Sequence, residues 1–187
     1  MSELSVGQLR GLPINNNVIT VPTGHTINAS GGIVQTIQTV DATTTAFSTG
    51  ADGTFIAYNK LNTTVVPKLS NSKFLVRFQI NVGINGGSSY RAVLNINGSP
   101  VGTISNDGFK ASSNSTYINL GLPWDATIFP LTGEFLFQNS GTSNVSIGFE
   151  LYRQTGNLIL YVNRAFSYDD AARGRPASWV TIQEIAQ

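Results

Sequence analysis

Residues 74–82 alternate between large apolar side chains and mainly polar ones, and this alternation limits the fold more than any other feature of the chain. The apolar positions are Phe74, Val76, Phe78, Ile80 and Val82. Because successive side chains of a β-strand point to opposite faces, the segment predicts a strand with one buried face and one mainly polar face. A strand of this kind needs a second layer to cover its apolar side.

Similar segments rich in β-branched residues follow along the chain, separated by Gly, Asn and Pro. Strands are predicted at 33–40, 54–58, 61–66, 74–82, 90–96, 101–104, about 116–120, 134–138, 145–153, 158–163 and 179–185. Asn97-Gly98-Ser99-Pro100 predicts a tight hairpin turn, and Gly156-Asn157 predicts a second short antiparallel turn. Helix signals are weak, with Asp169–Arg173 as the best candidate. We therefore expect an all-β fold, either an antiparallel β-sandwich or a barrel.

Charged residues make up only 11% of the chain, compared with about 25% in typical soluble domains. The net charge is +1, and no basic run is dense enough to neutralise a row of phosphates, so we expect no nucleic-acid partner. The chain has no cysteine, which excludes disulfides and thiolate metal sites. The sequence shows no signal peptide and no long apolar run, so we expect no membrane partner.

The inventory of side chains suited to catalysis is short. The one histidine, His25, precedes the predicted domain, so neither a Ser-His-Asp triad nor a zinc site within one chain is expected. Glu134 and Glu150 lie in predicted strands, where we expect cross-strand pairing with arginines such as Arg77. We therefore predict that the protein is not an enzyme and that it uses no cofactor and no metal.

The first 27 residues are interrupted repeatedly by Gly, Pro and an Asn run, and their apolar residues do not form one helical face. We predict an extended N-terminal arm at residues 1–27, followed by the β-sandwich domain at residues 28–187. An extended segment with spaced apolar side chains suits a groove on another protein, whereas a disordered tail is the alternative. The predicted anchoring residues are Leu4, Val6, Leu9, Leu12, Pro13 and Ile14.

Aromatic and charged residues in or near predicted loops are candidates for contact with a partner. They are Tyr117, Trp124, Phe129, Asp169, Asp170, Arg173 and Arg175. Exposed rings can stack on sugars, although most aromatic residues of a sandwich belong to its core. The four charged residues predict a compact charged loop. Three interpretations of this loop are open: a salt-bridge contact between subunits, a calcium contact, or a solvated turn.

Four strings, taken in order, resemble a group of β-rich virion surface domains of tailed bacteriophages, of the fibre-tip or capsid-decoration type and cyanophage-like. The strings are 33–40, 66–76, 161–164 and 179–186. The likeness covers about residues 33–187, and its most distinctive parts are Pro67–Lys73 and the last strand, whereas residues 85–131 do not match. The resemblance implies a jelly-roll-like sandwich that forms a homotrimer, with no cofactor and no catalytic residue.

These features favour a structural protein of the virion's outer surface, made in the host cytoplasm. The first hypothesis is a trimeric capsid decoration (cement) protein whose arm binds the major capsid protein or another virion protein. The start at Met1, shortly before the domain, and the lack of a fibre shaft favour it. The alternative is the receptor-binding tip of a tail or head fibre, whose loops bind a host surface glycan or receptor. A polysaccharide-cleaving enzyme is a third hypothesis, which the short catalytic inventory disfavours.

Overall fold

The computed structural model describes residues 30–48, 55–84, 89–101, 118–119, 128–153, 159–165 and 175–187. Within these ranges 69% of the residues lie in β-strands and 3% in helix, which confirms the all-β prediction. One turn of 3₁₀ helix lies at Asn59–Leu61, and no helix in these ranges is long and apolar enough to cross a membrane. The predicted arm, residues 1–27, and its boundary with the domain lie outside the described residues.

The described part of the chain contains twelve strands. They are β1 (Ile33–Asp41), β2 (Thr45–Ser48), β3 (Phe55–Ala57), β4 (Thr63–Val65), β5 (Ser72–Ile84), β6 (Ser89–Ile96), β7 (Ser99–Pro100), β8 (Ile118–Asn119), β9 (Ile128–Asn139), β10 (Val145–Arg153), β11 (Ile159–Val162) and β12 (Ser178–Ala186). Several short strands lie end to end along the edge of one longer neighbour. They therefore act as interrupted versions of longer strands.

The strands form two antiparallel sheets. In the first sheet, β9 pairs with one edge of β5, and β12 and β11 share its other edge. β1 and β2 then pair with β12 and β11, respectively. In the second sheet, β10 pairs with β6 on one side and with β3 and β4 on the other, while β7 and β8 pair with the free edge of β6.

Taking β1–β2, β3–β4, β7–β8 and β11–β12 each as one interrupted strand gives eight strands in chain order. The first pairs with the eighth, the second with the seventh, the third with the sixth and the fourth with the fifth. This nesting of antiparallel pairs across two four-stranded sheets is the jelly-roll arrangement. The expectation of a jelly-roll-like sandwich is therefore met in detail.

The core lies between the two sheets and follows from side-chain alternation. The inward positions of β5, from Phe74 to Val82, are all buried, as predicted. They meet inward residues of β6 and β10, and the rings of Phe78 and Phe149 lie 5.0 Å apart across the interface between the sheets. Burial of these large side chains is the main favourable term in folding a chain that lacks disulfides.

Several predicted boundaries differ from the structure. The turn after β6 contains only Asn97 and Gly98, with φ angles of 52° and 77°, so pairing resumes at Ser99 and not at Val101. β9 begins six residues before the predicted 134–138 strand, and β2 has no predicted counterpart. Gly156-Asn157 does not join a hairpin, because β10 and β11 belong to different sheets.

The ends of the strands define two opposite ends of the sandwich. At the arm end lie the start of β1, the start of β5 and the ends of β9 and β12, and the N–H of Gly31 bonds to the carbonyl of Ala186 at 2.9 Å. At the loop end, β5 and β10 finish and β3, β9 and β11 begin. The length of β5 separates the two ends by about 40 Å.

Gly83 lies near the loop end, where a side chain would overlap the backbone of residues 164 and 165. We expect Gly83→Ala to destabilise the fold by at least about 2 kcal/mol, because the obstacle is a carbonyl group that cannot rotate away. Gly148→Ala is the matched control, since its new Cβ would lie no closer than 3.4 Å to another atom. Urea unfolding of both variants measures the difference, and equal stabilities would contradict the packing described.

Candidate functional site

A buried carboxylate on the last strand holds the loop that precedes β5. Glu184 points inward from β12 and is 0% exposed. Its oxygens accept hydrogen bonds from the backbone N–H of Lys68, at 2.9 and 3.1 Å, and from that of Leu69, at 3.0 Å. The side-chain amide of Gln35 donates another at 2.6 Å. Glu184 therefore ties β1, β12 and this loop together at the arm end.

The protonation state of Glu184 follows from these contacts. Burial alone raises its pKa, but the hydrogen bonds from Lys68, Leu69 and Gln35 outweigh burial and hold the pKa below the ordinary value of 4.5. Glu184 is thus ionised at neutral pH. The contact also joins Pro67–Lys73 to the last strand, which are the two most distinctive strings of the sequence.

A second buried carboxylate lies at the end of β1. Asp41 is 5% exposed and accepts hydrogen bonds from the Tyr58 hydroxyl at 2.6 Å and from the backbone N–H of Thr43 at 2.9 Å. Burial raises the pKa of Asp41, and these bonds outweigh it, so the net pKa is lowered. Burial, followed by the bond and negative charge of Asp41, raises the pKa of Tyr58 well above its usual range. Tyr58 therefore remains a proton donor.

Asn163, which follows β11, extends this cluster to β12 and β5. Its amide donates to the carbonyls of Asp41 and Thr43, at 2.8 and 3.0 Å, and its side-chain oxygen accepts from the Ser178 hydroxyl at 2.6 Å. The Ser178 oxygen accepts from the backbone N–H of Asn81 at 3.0 Å. Asn163 has a φ of 60°, a left-handed conformation that Asn tolerates better than most residues. We call Asp41, Thr43, Tyr58, Asn81, Asn163 and Ser178 the junction network.

In both clusters the buried side chains form hydrogen bonds that hold the fold together. The carboxylates of Glu184 and Asp41 accept bonds from backbone and side-chain donors of the fold itself, as buried charged groups must. In the ranges that the structure describes, no group of three or more His, Cys, Asp or Glu side chains could hold a metal ion. The two clusters position chain segments that are distant in sequence.

The structure describes two of the predicted contact residues. Phe129 is a strand residue and not a loop residue, because β9 extends back to Ile128 and places Phe129 opposite Val82, with its ring against the core. Arg175 is exposed in the segment before β12. The other predicted residues lie outside the described ranges: Tyr117, Trp124, Asp169, Asp170 and Arg173, together with Leu4, Val6, Leu9, Leu12, Pro13 and Ile14 of the arm.

Sequence reasoning identified one charged pair and missed two buried acids. Arg77 and Glu134 form the expected cross-strand ion pair between β5 and β9. Glu184 and Asp41 were not among the predicted site residues, although a signal existed for Glu184. It shares the inward parity of Val180 and Ile182 in the last strand, and an acid at such a position must find buried donors.

Comparison with known proteins found no matching family model and no matching curated protein. The fold is similar to chains in two solved structures. One, from the T13 viral particle of IBDV, has a TM-score of 0.42 at 12% identity. The other, from infectious bursal disease virus Gx strain, has a TM-score of 0.41 at 14% identity. The likeness covers 91% of this chain in both cases, but only 40% and 42% of the respective viral chains.

Glu184→Gln should remove part of the acid sensitivity of the fold. Because the folded-state pKa of Glu184 is depressed, its contribution to stability is complete above pH 4.5, the ordinary pKa, and is lost as pH falls through the folded value. We expect the variant to be about 1–3 kcal/mol less stable at pH 7, since an amide cannot accept all of these bonds. Its unfolding free energy should then fall less steeply than that of the wild type below pH 4.5.

The control is Glu134→Gln, at an exposed ion pair on the sheet surface. Exposed pairs contribute at most about 1 kcal/mol, so this variant should keep the acid profile of the wild type. Urea titrations across the pH range provide the comparison. Parallel pH profiles for wild type and Glu184→Gln would contradict the role assigned to Glu184.

Two substitutions at Asn163 separate the junction network from the backbone conformation. Asn163→Gly keeps the left-handed conformation and loses the side-chain bonds, for which we expect a cost of about 1–3 kcal/mol. Asn163→Ala loses the bonds and also strains the backbone, which adds about 1 kcal/mol. In thermal and urea unfolding, the wild type should be the most stable, Asn163→Gly less stable and Asn163→Ala the least stable. Full stability of the Gly variant would show that the network does not support the fold.

Proposed function

We propose that this protein is a non-catalytic structural component of a virus particle, namely a capsid decoration protein of the tailed-phage type. In this proposal its N-terminal arm, with Leu4, Val6, Leu9, Leu12, Pro13 and Ile14, anchors it to the major capsid protein or another virion protein. The sandwich domain stands on the outer surface of the particle as a homotrimer. The chain is made in the host cytoplasm and acts without a cofactor.

The observation that carries the proposal is the separation of the two ends of the jelly roll. The chain enters the described domain at Ser30, beside the last strand at the arm end. The strands that flank residues 49–54, 85–88 and 154–158 meet at the loop end, about 40 Å away along the strand direction. A domain tethered at one end therefore presents its opposite end outward.

The interior of the domain supports a structural role. Both buried carboxylates are bonded to the chain, and a disulfide-free fold of this kind gains rigidity from a well-packed core and satisfied polar groups. Jelly rolls recur in viral capsid domains, in lectins and in cupins, so the fold alone does not decide among these roles. The tethered geometry and the resemblance of Pro67–Lys73 and the last strand to phage virion domains favour the first of them.

The same geometry favours a second function, the receptor-binding tip of a fibre. The segment that contains Trp124 lies between β8 and β9, and both strands border the loop end, where Ile118 pairs with Tyr90 and Ile128 with Gly83. Loops on a rigid sandwich are frequent binding sites for a glycan or protein receptor. Competition between the purified protein and virus adsorption distinguishes this function, because a decoration protein has no effect on adsorption.

Cryo-electron microscopy of the particle tests the proposed location. We expect density for the domain at regular positions on the capsid lattice, with the arm end facing the shell. Replacing Leu4, Leu9 and Leu12 together by Asp should remove the protein from particles, because charged side chains are costly in an apolar groove. The melting temperature of the free protein should not change.

Control variants at the loop end keep the arm intact. Phe55→Ala and Ile159→Ala, at exposed residues of β3 and β11, should leave occupancy on the particle unchanged. Density confined to the tail, or particles that retain the arm variant at wild-type occupancy, would contradict the decoration proposal.

A further inference from the structure

The outward face of the first sheet differs from that of the second sheet in its exposed apolar side chains. Across β1, β12, β5 and β9, three cross-strand pairs on this face are apolar: Ile33 with Ile185, Val40 with Trp179, and Leu75 with Leu136. Ile33, Val40 and Leu136 are 59%, 55% and 52% exposed. We call the outward residues of these four strands the outer face.

On the second sheet, by contrast, the outward residues Arg91 and Val93 of β6 are buried. Val93 is 2% exposed and Arg91 is 7% exposed, with the Arg91 guanidinium 4.6 Å from the centre of the Tyr152 ring. Phe55 packs on the same ring at 4.9 Å between centroids. Among the exposed large apolar residues of the described ranges, Phe55 belongs to the second sheet, whereas Ile33, Val34, Val40 and Leu136 belong to β1 and β9 of the first sheet.

We propose that the outer face is the surface through which copies of this chain associate. The face carries three charged residues, Lys73, Arg77 and Glu134, and the last two neutralise each other in an ion pair. A highly charged partner would bury its charges against Thr, Gln and aliphatic groups without compensation. A second copy presents the same neutral, partly apolar surface and meets no such penalty.

The size of the face is adequate for self-association. Four strands about 4.8 Å apart, each contributing seven or more residues, give a surface on the order of 500 Å² per copy. Two copies that meet over the whole face bury on the order of 1,000 Å², the lower bound for a specific protein interface, and in the proposed homotrimer the face of each copy is divided between two neighbours. Strand β12 runs through the middle of this surface and carries Trp179 near one end of the strand and Ile185 near the other. Aromatic residues such as Trp are enriched at protein interfaces.

The direction of the symmetry axis follows from the position of the arms. An axis parallel to β5 places all arm ends on the same side of the assembly, whereas a perpendicular axis points them in opposite directions. Only the parallel arrangement lets every copy attach to one shell. This orientation rests on the proposed function, but the interface itself does not require attachment to a particle.

Lysine substitutions matched in exposure test the interface on the purified full chain. Val40→Lys and Leu136→Lys place a charge on the outer face and should raise the dissociation constant of the oligomer at least about tenfold in light scattering across a dilution series. The controls are Val66→Lys, at 55% exposure like Val40, and Phe55→Lys, at 49% exposure, both away from the outer face. They should assemble as the wild type does, and unchanged melting temperatures would show that all four variants fold.

A spectroscopic measurement provides an independent test. The chain has two tryptophans, so Trp124→Phe leaves Trp179 as the single reporter on the outer face. Its emission should move to longer wavelength on dilution as the oligomer separates. A monomeric wild type, or outer-face and control variants with equal association, would overturn the inference. A wild-type oligomer that survives Leu136→Lys while the variant fails to bind particles would assign the face to the shell and not to a second copy.

Discussion

The first sheet remains continuous across two breaks in the chain because the junction network bridges them. β1 stops at Asp41 and β2 begins at Thr45, while β11 stops at Val162 and β12 begins at Ser178. Both breaks meet at the same height, where the Asn163 side chain bonds to the backbone on the β1 side and to Ser178 at the start of β12. Without these bonds the sheet would expose unpaired backbone groups in its interior, at a cost comparable to several lost hydrogen bonds. This bridge joins the two halves of the pairing between the first and eighth strands, which are β1 with β12 and β2 with β11.

Glu184 performs the corresponding task at the arm end for the loop before β5, which is not part of a strand. The loop from Pro67 to Ser70 crosses from the second sheet to the first, and its N–H groups at Lys68 and Leu69 require acceptors. A carboxylate supplies two oxygens with several lone pairs, so one inward residue satisfies donors from two segments. Four residues farther along β1 than Gln35, the Thr39 and Thr63 hydroxyls lie 2.7 Å apart and connect β1 to β4 across the edge of the sandwich. A residue at position 184 that accepts fewer hydrogen bonds would weaken this support.

The sequence predicts those parts of the fold that depend on the periodicity of one segment or on the conformational preference of single residues. Phe74 to Val82 alternates without interruption, and the segment from Trp179 to Ile185 alternates over Val180, Thr181 and Ile182; both are strands. Asn97-Gly98 marks its turn because the positive φ angles are properties of those two residues. β2 escaped prediction because four residues without an alternating apolar pattern become a strand only through pairing with β11. The sites escaped for a related reason, since Asp41 and Asn163 are 122 positions apart and acquire their roles only when the sheet brings them together.

Successive side chains of the first sheet alternate between its inward face, which stabilises the fold, and its outward face, which we propose as the surface for association. The inward residues of β12, including Glu184, are committed to the core and to the loop at the arm end, so they leave its outward residues free to vary without cost to folding. Selection for folding alone would be satisfied by polar residues at Ile33, Val40 and Leu136, because exposed positions of a sheet contribute little to stability. Three apolar cross-strand pairs at such positions therefore call for a cause outside the single chain. The proposed second copy would supply that cause and, with an axis along the strands, would place the arm end of every copy on one side.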